Sequence, residues 1–319
     1  MTTGGVTRRH RWATTPLGVA ALVSGLVLSG CAAEPGAGSE SVSGEIVTDG
    51  SSTVAPLTRA ARHQFVGRQP EVDIKVTTTG TTAGFRAFCA GTTDISNASR
   101  EISAEERAAC AEGGVEFTEI VVANDGISVI VNPANDWARD LTLEQLETMW
   151  ALESQGSVTS WQQIDPTFPD EPLVLFGPGS DSGTLDFFTE AINGAEHEIR
   201  TDYSASEDDD NTVAGVRRND GGVGFLGLSY VQASEGDVVA VSIEGVAPTT
   251  RTVQAGTYTP LSRPLFIYVS NASYADKPQV SAFVDFYVEN AVEIAEQARV
   301  VPLTPEQVLI AQDELATLR

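Results

Sequence analysis

Three loops of one design restrict this chain more than any other feature of its sequence. They are Gly50-Ser51-Ser52-Thr53, Gly80-Thr81-Thr82 and Ser180-Asp181-Ser182-Gly183-Thr184. Each follows a strand-like run and precedes a helical pattern. A helix N-terminus leaves four amides without partners and carries partial positive charge. Glycine lets the backbone approach a ligand closely, and hydroxyls add neutral donors. Such loops make anion seats that need no lysine. In open α/β sheets, ligands bind beyond the carboxyl ends of strands, where these loops gather. A serine or threonine before a helix is by itself an ordinary N-cap. Three loops at equivalent positions are what point to a ligand.

The remaining pattern alternates strands and helices. Glu45–Thr48, Val72–Thr78, Leu173–Phe176, Val223–Leu226 and Leu265–Val269 read as strands. Ile120–Val122 and Ile127–Val131 read as two buried strands bracketing Asn124-Asp125-Gly126. Pro56 suits a first helical turn. Thr142 with Gln145 forms a capping box, with Leu143, Leu146 and Trp150 on the inner face. Thr304-Pro305 starts a last helix. The alternation predicts an α/β fold with a parallel or mixed sheet. No loop contains Gly-Lys-Ser/Thr and no GxGxxG occurs, so no nucleotide cofactor is expected.

The charge is −25, from 19 Lys+Arg against 44 Asp+Glu. That argues against nucleic acid as a partner, because binding it needs a basic footprint. It argues equally against attachment to anionic lipid by charge. At 319 residues the length fits roughly two domains.

The first thirty residues read as a leader. Arg8, Arg9 and Arg11 form a basic start, Pro16–Leu28 is an apolar run, and Leu28-Ser29-Gly30-Cys31 resembles a bacterial lipobox. The run is short for a bilayer span, which takes about 20 residues. Cleavage before Cys31 removes the three arginines and deepens the charge from −25 to −28. Residues 32–44 have the composition of a flexible tether. With Cys31 lipidated, Cys89 and Cys110 remain as a pair, and export predicts a disulfide between them. Only His63 and His197 survive maturation, and neither has metal-ligand spacing. Glu207-Asp208-Asp209-Asp210 lacks the calcium-loop spacing and reads as a solvated loop.

Taken together, the lipobox, Asp49-Gly50-Ser51-Ser52-Thr53, Thr79–Phe85, Asp94–Arg100 and Gly177–Phe188 resemble the phosphate-binding lipoproteins of bacterial phosphate ABC importers. The resemblance covers about residues 45–319. It implies a two-lobed periplasmic-binding-protein fold of type II, with two hinge crossovers near Val122–Asp125 and Thr259–Pro264. It implies a first lobe of residues 45–122 plus 264–319 and a second of 123–263. It also implies inorganic phosphate as ligand, a membrane permease as partner, attachment outside the membrane through Cys31, and no enzymatic activity. The phosphate-binding candidates are Ser51, Ser52, Thr53, Thr81, Thr82, Ser99, Arg100, Ser180, Asp181, Ser182, Gly183 and Thr184.

Two departures from the family pattern matter. Some members have an arginine shortly before Ser-Gly-Thr, where this chain has Gly177-Pro178-Gly179, and an aspartate where it has Ser99-Arg100. Arg100 is therefore the candidate cation, with Arg200 as a second. Asp181 is the candidate acceptor for the proton that phosphate carries and sulfate lacks, and Asp94 reads as a capping or turn residue. The alternatives are a binder of sulfate, molybdate or tungstate, or an exported phosphatase or other hydrolase.

Overall fold

The computed structural model describes residues 41–319 apart from 181, 207 and 235. The expected leader, Cys31 and Asp181 lie outside the described residues. The first stretch alternates regularly: β1 (Gly44–Gly50), α1 (Ala55–Val66), β2 (Val72–Val76), α2 (Thr81–Cys89), β3 (Ile95–Ala98), α3 (Ala104–Glu112) and β4 (Phe117–Val131). The middle holds β5 (Asp140–Leu141), α4 (Leu143–Trp150), β6 (Val174–Pro178), α5 (Gly183–Asn193), β7 (Ser204–Ser206), α6 (Asp209–Arg218), β8 (Gly222–Gly227), α7 (Leu228–Ala233), β9 (Val239–Ala240), β10 (Ser242–Ile243) and α8 (Thr250–Gln254). The chain returns through β11 (Ser262–Ser270), α9 (Asn271–Asp276), α10 (Pro278–Glu289), α11 (Ala291–Gln297) and α12 (Pro305–Ala316).

Strands pair in the order β2-β1-β3-β11-β4-β8-β6-β7. β1 is parallel to β2 and β3, and β6 is parallel to β7 and β8. β11 runs antiparallel to β3 and β4, and β4 antiparallel to β8. β4 links the two halves. Phe117–Gly126 pairs with β11, and Ile127–Val131 pairs with β8. The two strands expected around Asn124-Asp125-Gly126 are therefore one strand of 15 residues. Tertiary pairing overrides the local turn signal. Asp125 faces Arg263 and Gly126 faces Ser262 across the ladder, and Asn124 bridges to Val301.

Each half buries both faces of its strands, as helix-covered sheets do. On one side of the first half, Ile46, Ile74, Ile95, Ile120 and Ile267 pack under α1, α10 and α11. On the other side, Phe266 and Tyr268 meet Phe85, Phe88 and Cys110 from α2 and α3. In the second half, Val129 and Val131 join Trp150, Trp161, Phe188 and Phe225, while Ile130 joins Val213, Val216 and Leu226. The alternation along β4 and β11 thus supplies opposite faces, and the separate cores define two lobes. Val301, between α11 and α12, packs with the second lobe's cluster.

Local signals set several boundaries. Pro56 lies in the first turn of α1, and capping boxes start α3 (Ser103, Glu106), α4 (Thr142, Gln145) and α12 (Thr304, Gln307). Asp208 caps α6, its side chain accepting from Asp210 N–H. Asp94 binds Val47 N–H, Ser273 and Lys277. Cys89 and Cys110 are joined by a disulfide that ties α2 to α3. The tether expected through residue 44 ends sooner, because Val42 N–H donates to Gln69 Oε1 (3.1 Å) and Gly44 opens β1. Among the described residues no helix is long and apolar enough to cross a membrane.

Candidate anion-binding site

The first loop leaves β1 through Gly50. Its φ of +134° and a Cβ position 2.0 Å from Asn97 O make glycine the residue that fits. Gly84 of α2 packs on the same spot, its Cβ position 2.5 Å from Gly50 Cα. The second loop is thereby drawn onto the first. Gly80 N–H donates to Gly50 O (3.0 Å), and Asp49 accepts from Thr79 N–H and Thr79 Oγ1.

The third loop, from the other lobe, closes on the first. Thr53 Oγ1 donates to Gly183 O (3.2 Å), and Ser52 Oγ donates to Asp186 Oδ2 (3.2 Å). Neither α1 nor α2 has a side-chain cap, in contrast to α3, α4 and α12. The first amides of α2 are open to a ligand, whereas at α1 Ala55 N–H donates to Ser51 O (3.1 Å) and Pro56 has no N–H. A cleft of about 400 Å³ lies here, lined by Ser52, Thr78, Thr79, Gly80, Ser180, Asp186, Glu196 and His197.

Not every expected donor faces this cleft. Ser51 is buried, and its Oγ accepts from Thr53 N–H (3.2 Å). Thr81 is buried against Ser99, Oγ to Oγ 3.1 Å. Ser182 caps α5, accepting from Thr184 N–H (3.2 Å). Arg100 pairs with both oxygens of Glu106 (2.8 and 2.9 Å) and donates to Thr82 Oγ1 (2.9 Å). Arg200 is not a site cation. It is 3 % exposed, and its guanidinium binds both oxygens of Asp202 and the carbonyls of Met149 and Val158. Those donors hold a loop in the second lobe.

A cation at the lobe junction is Arg263, the second residue of β11. Its side chain is 12 % exposed and lies 3.6 Å from Asp125 and 3.9 Å from Glu190. Nη2 donates to Thr53 Oγ1 (3.2 Å), and the guanidinium stacks 3.7 Å from the centre of the Phe187 ring. Its buried Nε–H makes no hydrogen bond among the described residues. Burial pushes the Asp125 carboxyl up against the opposing pull of Arg263. Burial also raises Asp186, with His197 as the main counterweight. Sequence reasoning passed over Arg263, Asp125 and Asp186. The available signal was an arginine between Leu261 and a strongly apolar strand, inside the expected crossover.

Ser52, Asp186 and His197 form a chain, His197 Nε2 lying 3.2 Å from Asp186 Oδ1. The carboxylate sits in the middle. A hydrolytic triad needs the imidazole between serine and acid, where it can take the serine's proton. This order is not that of a hydrolytic triad.

The fold and the paired loops define a two-lobed binding protein. Residues 35–291 match the family described as a PBP superfamily domain, and the chain belongs to that superfamily. Protein SphX of Synechocystis is 42 % identical over 265 residues, covering 82 % of this chain and 79 % of that protein. The phosphate-binding protein PstS of Staphylococcus saprophyticus is 31 % identical over 303 residues, covering 93 % and 92 %. A possible phosphate-binding protein from Planctomyces limnophilus superposes with a TM-score of 0.83 at 38 % identity, over 87 % of this chain and 99 % of that one.

Proposed function

We propose that this protein captures inorganic phosphate between its lobes and delivers it to the membrane permease of an ABC importer. The observation that carries this reading is the meeting of two Gly/Ser/Thr loops from opposite lobes beside the buried guanidinium of Arg263. A tetrahedral anion offers acceptors in several directions. Open amides, Ser and Thr hydroxyls and one cation match it without a metal. The names of the PstS relatives and of the Planctomyces limnophilus protein support phosphate among oxyanions.

Ser52, Thr53, Gly183 and Thr184 supply donors in this reading, with Thr82, Ser180 and Ser182 around them. Asp186, whose carboxyl lines the cleft, joins Asp181 as an acceptor for the proton of phosphate. Sulfate lacks that proton and meets an unpaired carboxylate, which rejects it. Residues 45–122 and 264–319 form the first lobe and 123–263 the second, with hinge crossovers near Val122–Asp125 and Thr259–Pro264. The leader and Cys31 assign the body to the outer face of the cell membrane, held by lipid. The protein acts as a receptor and not as a hydrolase, consistent with the central place of Asp186 between Ser52 and His197.

Titration calorimetry tests this on protein freed of bound anion by unfolding and refolding. One-to-one phosphate binding that excess sulfate leaves undisturbed is the expected result. Silence with phosphate but heat with sulfate or molybdate overturns the ligand.

A further inference from the structure

Arg100 does not meet the anion in the way its charge suggests. A guanidinium has five N–H donors. Nη1 donates to Glu106 Oε2 (2.8 Å) and Glu101 O (3.1 Å). Nη2 donates to Glu106 Oε1 (2.9 Å) and Thr82 Oγ1 (2.9 Å). All four Nη protons are therefore engaged within the protein. The consequence falls on Thr82. Its hydroxyl accepts from a cation, so its own proton is free to be donated elsewhere, and the cation polarises it. Thr82 is exposed in the first turn of α2, two residues beyond Gly80 of the cleft wall.

Glu106 is itself fixed. Its Oε2 accepts from Ser103 N–H (2.9 Å), and its own N–H donates to Ser103 Oγ (3.2 Å). The capping box that starts α3 thus also grips Arg100. The disulfide Cys89–Cys110 ties α3 back to α2, which carries Thr82. The Arg100 guanidinium lies over Phe85 of the same helix, 5.7 Å from the ring centre.

We propose that Glu106 and Arg100 are positioning residues for anion capture: they hold the Thr82 hydroxyl with its proton directed to the ligand. This rests on the phosphate-binding reading above. Glu106 acts through Arg100, and Arg100 acts through Thr82.

A double-mutant cycle on the full chain, read by phosphate calorimetry, tests the relay. Thr82→Val removes the donor and weakens binding about 10- to 100-fold, the range of a hydrogen bond to a charged group. Glu106→Gln keeps the capping box, since glutamine serves equally at that position, and removes half of the ion pair. It weakens binding roughly threefold or more in the wild-type background and adds nothing in Thr82→Val, the coupling expected of a shared network. Arg100→Gln leaves Glu106 on Ser103 and must give the same pattern should Glu106→Gln fold poorly. Unchanged or tighter binding in Glu106→Gln overturns the proposal, because loss of a neutralising carboxylate alone strengthens the positive field. Equal losses in both backgrounds also overturn it, since they mark a merely structural role. Wild-type protein that takes up no phosphate overturns the functional reading and this assignment together.

Discussion

Arg263 touches Thr53 of the first lobe, Phe187 and Glu190 of the second, and Asp125 on the strand that joins them. A desolvated cation over an aromatic face contributes about 2 kcal/mol, and the fork geometry also organises Thr53. Arg263→Ala is expected to weaken phosphate binding about 10- to 100-fold, the worth of a charge-assisted hydrogen bond. It also leaves Asp125 buried without its partner, a loss of about 3–5 kcal/mol in comparable buried pairs. Calorimetry and a thermal melt on the same variant read both effects, and a variant with normal affinity removes Arg263 from the site. Gly183 makes the complementary test. A Cβ there meets Thr53 Oγ1 at 2.4 Å and Ser52 Oγ at 2.7 Å, both across the cleft from its own helix. Gly183→Ala is expected to keep the melting temperature and to lose at least about tenfold in affinity, because the clash exists only when the loops meet. A large fall in melting temperature instead places the strain inside the second lobe.

At the scale of elements, the sequence made legible whatever is determined by neighbours along the chain. The capping boxes at Thr142 and Thr304 are formed by side chains three residues apart, and both start helices as read. The three loops follow strands and precede α1, α2 and α5 as read. The break assigned to Asn124-Asp125-Gly126 failed because Arg263, Ser262 and Val301 hold that backbone extended from far along the chain. Arg263 was passed over for the same reason, since its partner Thr53 is 210 residues away and only its place in the expected crossover marked it. Arg200 drew attention by its neighbours but is a structural clamp. Through its hydrogen bonds it holds the Asp202 carboxyl at about 2. A carboxyl depressed in the fold contributes stability above its unfolded value of about 4, and that contribution is lost as pH falls toward 2. Asp202→Asn is expected to lower the melting temperature at pH 7 and to flatten its fall across that acid range. An acid limb as steep as the wild type's contradicts the clamp.

The whole molecule carries a charge of −25 while its site receives an anion. Repulsion at long range opposes approach, and the loop amides and Arg263 act only at contact. Added salt screens the first effect much more than the second. The phosphate association rate measured by stopped flow is therefore expected to rise with ionic strength; a fall points to a local positive funnel that outweighs the overall charge. Lobe closure is supported at the rear as well as at the front. Val301 pairs with Asn124 and packs in the second core, and Gln254 Nε2 donates to Pro302 O (2.9 Å). Phosphate is therefore expected where the front loops meet, with the rear contacts kept. A crystal structure of the protein with phosphate tests this most directly. It is expected to show one tetrahedral anion bonded to Ser52 or Thr53, to the amides around Gly183, and to Arg263. Phosphate bound away from these loops, or a closed protein whose Arg263 stays on Asp125 and Thr53 alone, contradicts it.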